Sequence, residues 1–120
     1  MIQKVTLRDK FELFHDHWHP RIVGQVNDMH VKLTRLKGEF LWHTHDEEDE
    51  MFLVVEGQLI IRLRDGEVAL GPGEFIVIPH GVEHQPVAME EVLVMLFEPV
   101  GTLNTGNVEN ERTVAQLDWI

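Results

Sequence analysis

Between Arg21 and Pro99 the chain is cut into short apolar runs by turn residues at near-regular spacing, which narrows the fold more than any other feature. Asn27-Asp28 separates Arg21–Val26 from Met29–Leu36, and Gly38-Glu39 leads into Phe40–His45. Glu50–Val55 stops at Glu56-Gly57, and Gln58–Arg64 stops at Asp65-Gly66, a two-residue hairpin signal. Glu67–Leu70 ends at Gly71-Pro72-Gly73, and Phe75–Ile78 at Pro79-His80-Gly81. Val82–Val87 and Val92–Phe97 complete the series. Short runs bounded by Gly, Pro and Asn read as β-strands, and many in a row predict an antiparallel sandwich or barrel. Residues 3–14 fit either a helical turn or an extra strand, and little else reads as helix. A length of 120 residues suits one domain, with an N-terminal segment (1–20), a barrel core (21–99) and a C-terminal tail (100–120).

Several of these strands are apolar on both faces. Met51, Leu53 and Val55 alternate with Phe52 and Val54, and Val92, Val94 and Leu96 alternate with Leu93, Met95 and Phe97. A half-solvated antiparallel sheet would carry polar residues on one face. The extra face therefore needs the terminal segments or a second copy of the chain to cover it. If His43 and His45 point inward, Phe40 and Trp42 point outward, and such an exposed aromatic pair invites a partner. The expected assembly is a homodimer.

The net charge of −11 disfavours nucleic acid and anionic membranes as partners. There is no cysteine, so neither a disulfide nor a thiolate is available. Serine and tyrosine are also absent, which removes serine-hydrolase and tyrosine-acid chemistry. No segment reads as a signal peptide or membrane span, so a cytoplasmic location is expected.

The chemistry concentrates in Trp42-His43-Thr44-His45, followed across a four-residue gap by Glu50, with His84 downstream of Pro79-His80-Gly81. On a strand, residues i and i+2 share a face with Cα atoms roughly 6.5 Å apart, so two imidazoles can converge on one ion. Asp49 rivals Glu50 for a ligand position, because both neighbouring faces are apolar.

These residues resemble the two motifs of the cupin superfamily. The first reads Gly38, His43, His45, Glu50 and Gly57, and the second Gly73, Pro79, Gly81 and His84. The gap between His45 and Glu50 is one residue shorter than usual, and Ala88 stands where an Asn often follows the second motif. The match runs from Gly38 to His84, and the remaining chain looks like the small single-domain cupins, many of them uncharacterised. The resemblance implies an all-β, antiparallel jelly-roll barrel. It implies His43, His45, Glu50 and His84 as ligands of one divalent transition metal, and its spacing to Gly57 favours Glu50 over Asp49. Three imidazoles and a carboxylate suit Fe, Mn, Co, Ni or Zn, and leave two positions open on a six-coordinate ion.

Outside that set, Asp46, Glu47, Glu48 and Asp49 read as a solvated acidic loop. His15, His17 and His19 alternate, and without a downstream partner they read as a surface or packing segment, with Trp18 as a packing anchor. His30, Lys32 and Thr34 look like a solvated face, and Arg62 and Arg64 read as outward. His80 and Glu83, in the turn beside His84, are candidate proton shuttles. The expected function is a metal-dependent enzyme on a small polar metabolite, of dioxygenase or isomerase/lyase type. The alternative is a non-catalytic small-molecule-binding or sensing domain.

Overall fold

A computed structural model describes residues 2–120. Its elements are α1 (Leu7–Phe11), β1 (Arg21–Val26), β2 (Met29–Glu39), β3 (Glu50–Glu56), β4 (Leu59–Leu63), β5 (Gly66–Leu70), β6 (Phe75–Ile78) and β7 (His84–Pro99). All strand pairs are antiparallel. β1, β2, β7, β3 and β6 lie side by side in that order, and β4 pairs with both β7 and β5. Among the described residues no helix is long and apolar enough to cross a membrane.

The sixteen-residue β7 organises the fold. Its second half lies between β2 and β3, where Val94 faces Thr34 on one side and Val54 on the other. Its first residues pair with β4 instead, from Leu63↔His84 to Ile60↔Val87. The sheet therefore turns a corner along β7, and β2 follows through a bulge between Leu36 and Gly38. Gly38 has φ +85, a left-handed conformation that a side chain would strain. The result is the antiparallel jelly-roll architecture, with the sheet left unclosed.

Three local expectations change. Val82–Val87 and Val92–Phe97 belong to one strand, because the polar Glu90-Glu91 step is an exposed corner of β7 and not a turn. Phe40–His45 is not a regular strand; it extends β2 irregularly along the start of β7. There Phe40 N donates to Pro86 O (3.0 Å), while His43 and His84 exchange backbone bonds of 3.1 and 3.0 Å. In the β4–β5 hairpin the tip is Arg64-Asp65, and Gly66 already pairs with Leu63.

The inner face carries Leu36, Phe52, Val54, Val92, Val94 and Leu96, packed with Leu59 and Ile61 of β4. The outer face is partly covered from the N-terminus. Phe11 and Phe14 are buried against Val23 and Leu33, with Val31, Val55, Leu93 and Met95 around them. Each such buried side chain contributes about 1.5–3 kcal/mol of transfer free energy. Arg35 pins this segment by donating to Phe11 O and Phe14 O, both at 2.9 Å. At the other terminus Ile22 N donates to Asp118 O, and Ile120 N to Ile22 O, so the last residues line the β1 edge. Phe75 and Val77 on β6 stay exposed.

Two burial expectations are overturned. Phe40 is buried, and it stacks on Trp18 with ring centres 4.6 Å apart, so it offers no outward surface. Trp42 is half-buried beneath the Arg64 guanidinium, 3.8 Å from its ring centre. His30, Lys32 and Thr34 are buried too, because the pairing with β7 turns this side of β2 into the barrel.

Candidate metal centre

Three chain segments converge at one end of the barrel. His43 and His45 lie on the stretch after β2, Glu50 opens β3, and His84 opens β7. The backbone bridge between His43 and His84 brings two of these segments into register, and Gly81 N donates to His45 O (2.8 Å) to tie in the Pro79–Val82 turn. All four side chains are buried, and one donor atom from each lies within 4.8 Å of the others. Asp49 is outside this group; it is exposed and accepts from the backbone N and ring Nδ1 of His80.

The outer nitrogens orient the rings. His43 Nδ1 is 3.0 Å from Leu41 O and His84 Nδ1 is 2.9 Å from Val82 O, so each Nδ1–H is held by a carbonyl and Nε2 presents a lone pair inward. His45 and His84 Nε2 each lie 3.4 Å from Glu50 Oε1, and these three buried atoms have no hydrogen-bond donor. Acceptors brought together out of water are costly unless a cation sits between them. The donor set therefore fits a metal ion.

The charge states agree. Burial, reinforced by the neighbouring His84, lowers the His43 pKa to about 4, so it is neutral and free to ligate at pH 7. Burial pushes Glu50 up, but the His45 and His84 nitrogens and the Glu98 carboxyl facing it outweigh that and hold it well below the usual range. In metal-free protein, an NMR titration is expected to find His43 titrating near 4; a midpoint near 6.5 would mean a solvated ring. Between those values the unfolded chain binds more protons than the folded one. His43's contribution to stability is thus complete above pH 6.5 and drains as pH falls toward 4, amounting to about 3 kcal/mol.

Beside the cage lies a narrow cavity, open at one end and bordered by His43 and Glu50. Its other walls include Trp18, Leu36, Phe40, Phe52 and Leu96, with Thr34 and Asn104 as the remaining polar residues. The C-terminal tail crosses the mouth. Asn107 N donates to Thr44 O and Asn107 Oδ1 accepts from Thr44 N, both at 2.8 Å. A Cβ on Gly106 would lie 2.1 Å from Thr44 O, so only glycine allows this approach. Arg112 donates to Glu39 O and lies over Phe40.

The remaining candidates sit elsewhere. The polar side-chain partner of His80 is Asp49, and that of Glu83 is Arg64; Glu83 is half-buried and the other three are exposed. Arg64 is exposed and Arg62 half-buried, the latter contacting Glu39 and Gln85. His17 pairs with Glu91 and His19 with Asp16, while Trp18 anchors the segment through Nε1 to Lys37 O. Sequence reasoning read Lys32 and Thr34 as solvated and passed over Glu98. Lys32 Nζ is 2.8 Å from Glu98 Oε1 in a fully buried ion pair behind Glu50. A lysine and a threonine alternating toward the apolar Leu36 were the available signal.

A family model described as a cupin domain matches residues 32–98. An uncharacterised protein of Bacillus subtilis strain 168, YdbB, is 41% identical over 64 residues, 52% of this chain; the chain spans 57% of that relative's length. The crystal structure of a cupin-2 domain containing protein from Shewanella frigidimarina NCIMB 400 is similar with a TM-score of 0.78 and 48% identity, over 79% of this chain and 93% of that one. Protein NMB1881 from Neisseria meningitidis is similar with a TM-score of 0.74 and 26% identity, over 81% of this chain and 99% of that one.

Proposed function

The chain belongs to the cupin domain family, and on that premise we propose that His43, His45, Glu50 and His84 hold one divalent transition ion beside which a small molecule binds. When bound, such an ion supplies Lewis acidity toward an oxygen donor and, if redox-active, access to O₂ chemistry. The chain's own groups orient the ligating rings through Leu41 O and Val82 O, and present an apolar, water-poor wall to whatever binds. The observation that carries the reading is the set of donor-less buried atoms on His45, His84 and Glu50.

Isomerase or lyase chemistry needs a base beside the substrate, and where the protein supplies none that role would fall to hydroxide on the ion. Among the described residues, the titratable groups on the cavity wall are His43 and Glu50, which the cage uses. His80 is exposed, Glu83 is half-buried, and both are already paired outside the cavity. The reading we favour is therefore a metal-dependent enzyme of dioxygenase type. The same base-free wall supports, as a second reading, a non-catalytic binding or sensing domain.

Elemental analysis of protein purified without an affinity tag or added metal tests the centre. About one equivalent of a transition metal per chain is expected, and adding that metal to stripped protein raises the melting temperature. No metal and no thermal shift would overturn the reading. Oxygen uptake by iron-loaded protein on addition of small oxygen-donor compounds separates the enzyme from the binder.

The exposed Phe75 and Val77, opposite Leu53 and Met51 on the β6 edge, support the proposal of a homodimer through this face. Light scattering is expected to report a dimer that Phe75→Glu converts to monomer. A monomeric parent protein would refute it.

A further inference from the structure

The cavity beside the cage is selective in a direction that the cage alone does not set. Trp18, Leu36, Phe40, Phe52 and Leu96 give it a hydrocarbon wall. No charged side chain borders it except Glu50, which belongs to the cage. A sugar, a phosphate ester or a zwitterion entering here would leave its polar groups without partners, at a cost for each. One polar group is nevertheless unused. Thr34 is 1% exposed, borders the cavity, and its Oγ1 has no hydrogen-bond partner. Buried hydroxyls are normally satisfied, so an orphan on a residue that borders this cavity points to an atom bound there.

We infer that this cavity takes a small molecule with an oxygen donor at the metal end, an uncharged hydrocarbon body against Trp18, Phe40 and Phe52, and one hydrogen bond to Thr34 Oγ1. Thr34 is then a specificity-determining residue. The metal-facing part rests on the centre proposed above; the hydrocarbon wall and Thr34 do not.

The test uses matched probes on the full chain. With metal-loaded protein, calorimetry is expected to find 4-methyl-2-oxopentanoate bound at least about tenfold more tightly than gluconate, which offers a carboxylate head on a hydroxylated body. Thr34→Val keeps the shape and removes the hydroxyl. It is expected to weaken 4-methyl-2-oxopentanoate about two- to tenfold while raising the melting temperature of the free protein. A purely structural hydroxyl would lower the melting temperature and leave the preference unchanged. In metal-free protein, toluene, which carries no donor, is expected to shift the methyl resonances of Leu36 and Leu96. Equal or tighter binding of gluconate, unchanged affinity in Thr34→Val, or no toluene shift would overturn the inference. A chain that fails to retain metal shows this in its elemental content. That outcome sinks the metal centre and the metal-facing end of the ligand, and leaves toluene and the Thr34→Val melting temperature to decide the rest.

Discussion

Alanine at both His43 and His45 is expected to lower affinity for a divalent transition ion by on the order of 10³-fold or more. The two imidazoles are half of the donor set, and their backbone segment is tied to the other half by the His43–His84 bridge. Glu50 and His84 would remain, two donors from different strands, which cannot fix the geometry of an ion by themselves. The measurement is metal titration of stripped protein, with the thermal shift on metal addition read in parallel. The thermal shift separates ligand loss from misfolding. A folded double variant melts cooperatively without metal and fails to gain stability when metal is added. The control is a triple alanine variant at His15, His17 and His19, whose side chains lie outside the cage and, for His17 and His19, pair with Glu91 and Asp16. It should bind metal like the parent. Metal lost in the triple variant and kept in the double variant would place the centre in the wrong histidine cluster.

The cluster of His43, His45, Glu50 and His84 was legible because its spacing is a local property. Two histidines two apart, a carboxylate after a short gap and a histidine behind a Pro-x-Gly turn need no knowledge of register. What surrounds them does need it. Val31 and Leu33 on one side of β2 are as apolar as Leu36 on the other, so the chain alone does not say which side faces inward. The pairing of Thr34 with Val94 and Lys32 with Leu96 decides it, and those partners lie about sixty residues away. The outer side was free to be apolar because Phe11 and Phe14 pack on it, a contact that five residues of helix do not announce. Phe40 was misassigned for a related reason. Strict alternation fails where β2 leaves its bulge at Gly38, so counting faces from His43 back to Phe40 crosses an irregular stretch. The corner of β7 hid in the same way, since Met89-Glu90-Glu91 is exposed and carries two charges within an unbroken strand.

Replacing Lys32 by methionine is expected to cost about 3–5 kcal/mol of stability near neutral pH, the usual consequence of removing one member of a buried ion pair. Lys32 and Glu98 are both about 1% exposed, and Nζ also lies 3.4 Å from Thr102 O. Glu98 is pushed well above the ordinary carboxylate range by burial first and then by the charge and hydrogen bond of Glu50, with Lys32 opposing. Without Lys32 nothing opposes, and the carboxyl must either stay charged beside Glu50 or take up a proton. That choice gives the prediction its pH signature. A carboxyl whose folded pKa is raised makes the folded chain bind more protons than the unfolded one, so its penalty shrinks as pH falls. Urea denaturation of metal-free protein should therefore show the Lys32→Met loss to be larger at pH 8 than at pH 5. Lys32→Met/Glu98→Met removes both charges and should recover most of the loss, because hydrophobic replacement of a buried pair is often close to neutral. Equal losses at both pH values, with additive effects in the double variant, would mean that the two residues contribute independently and that Glu50 is held in place without them.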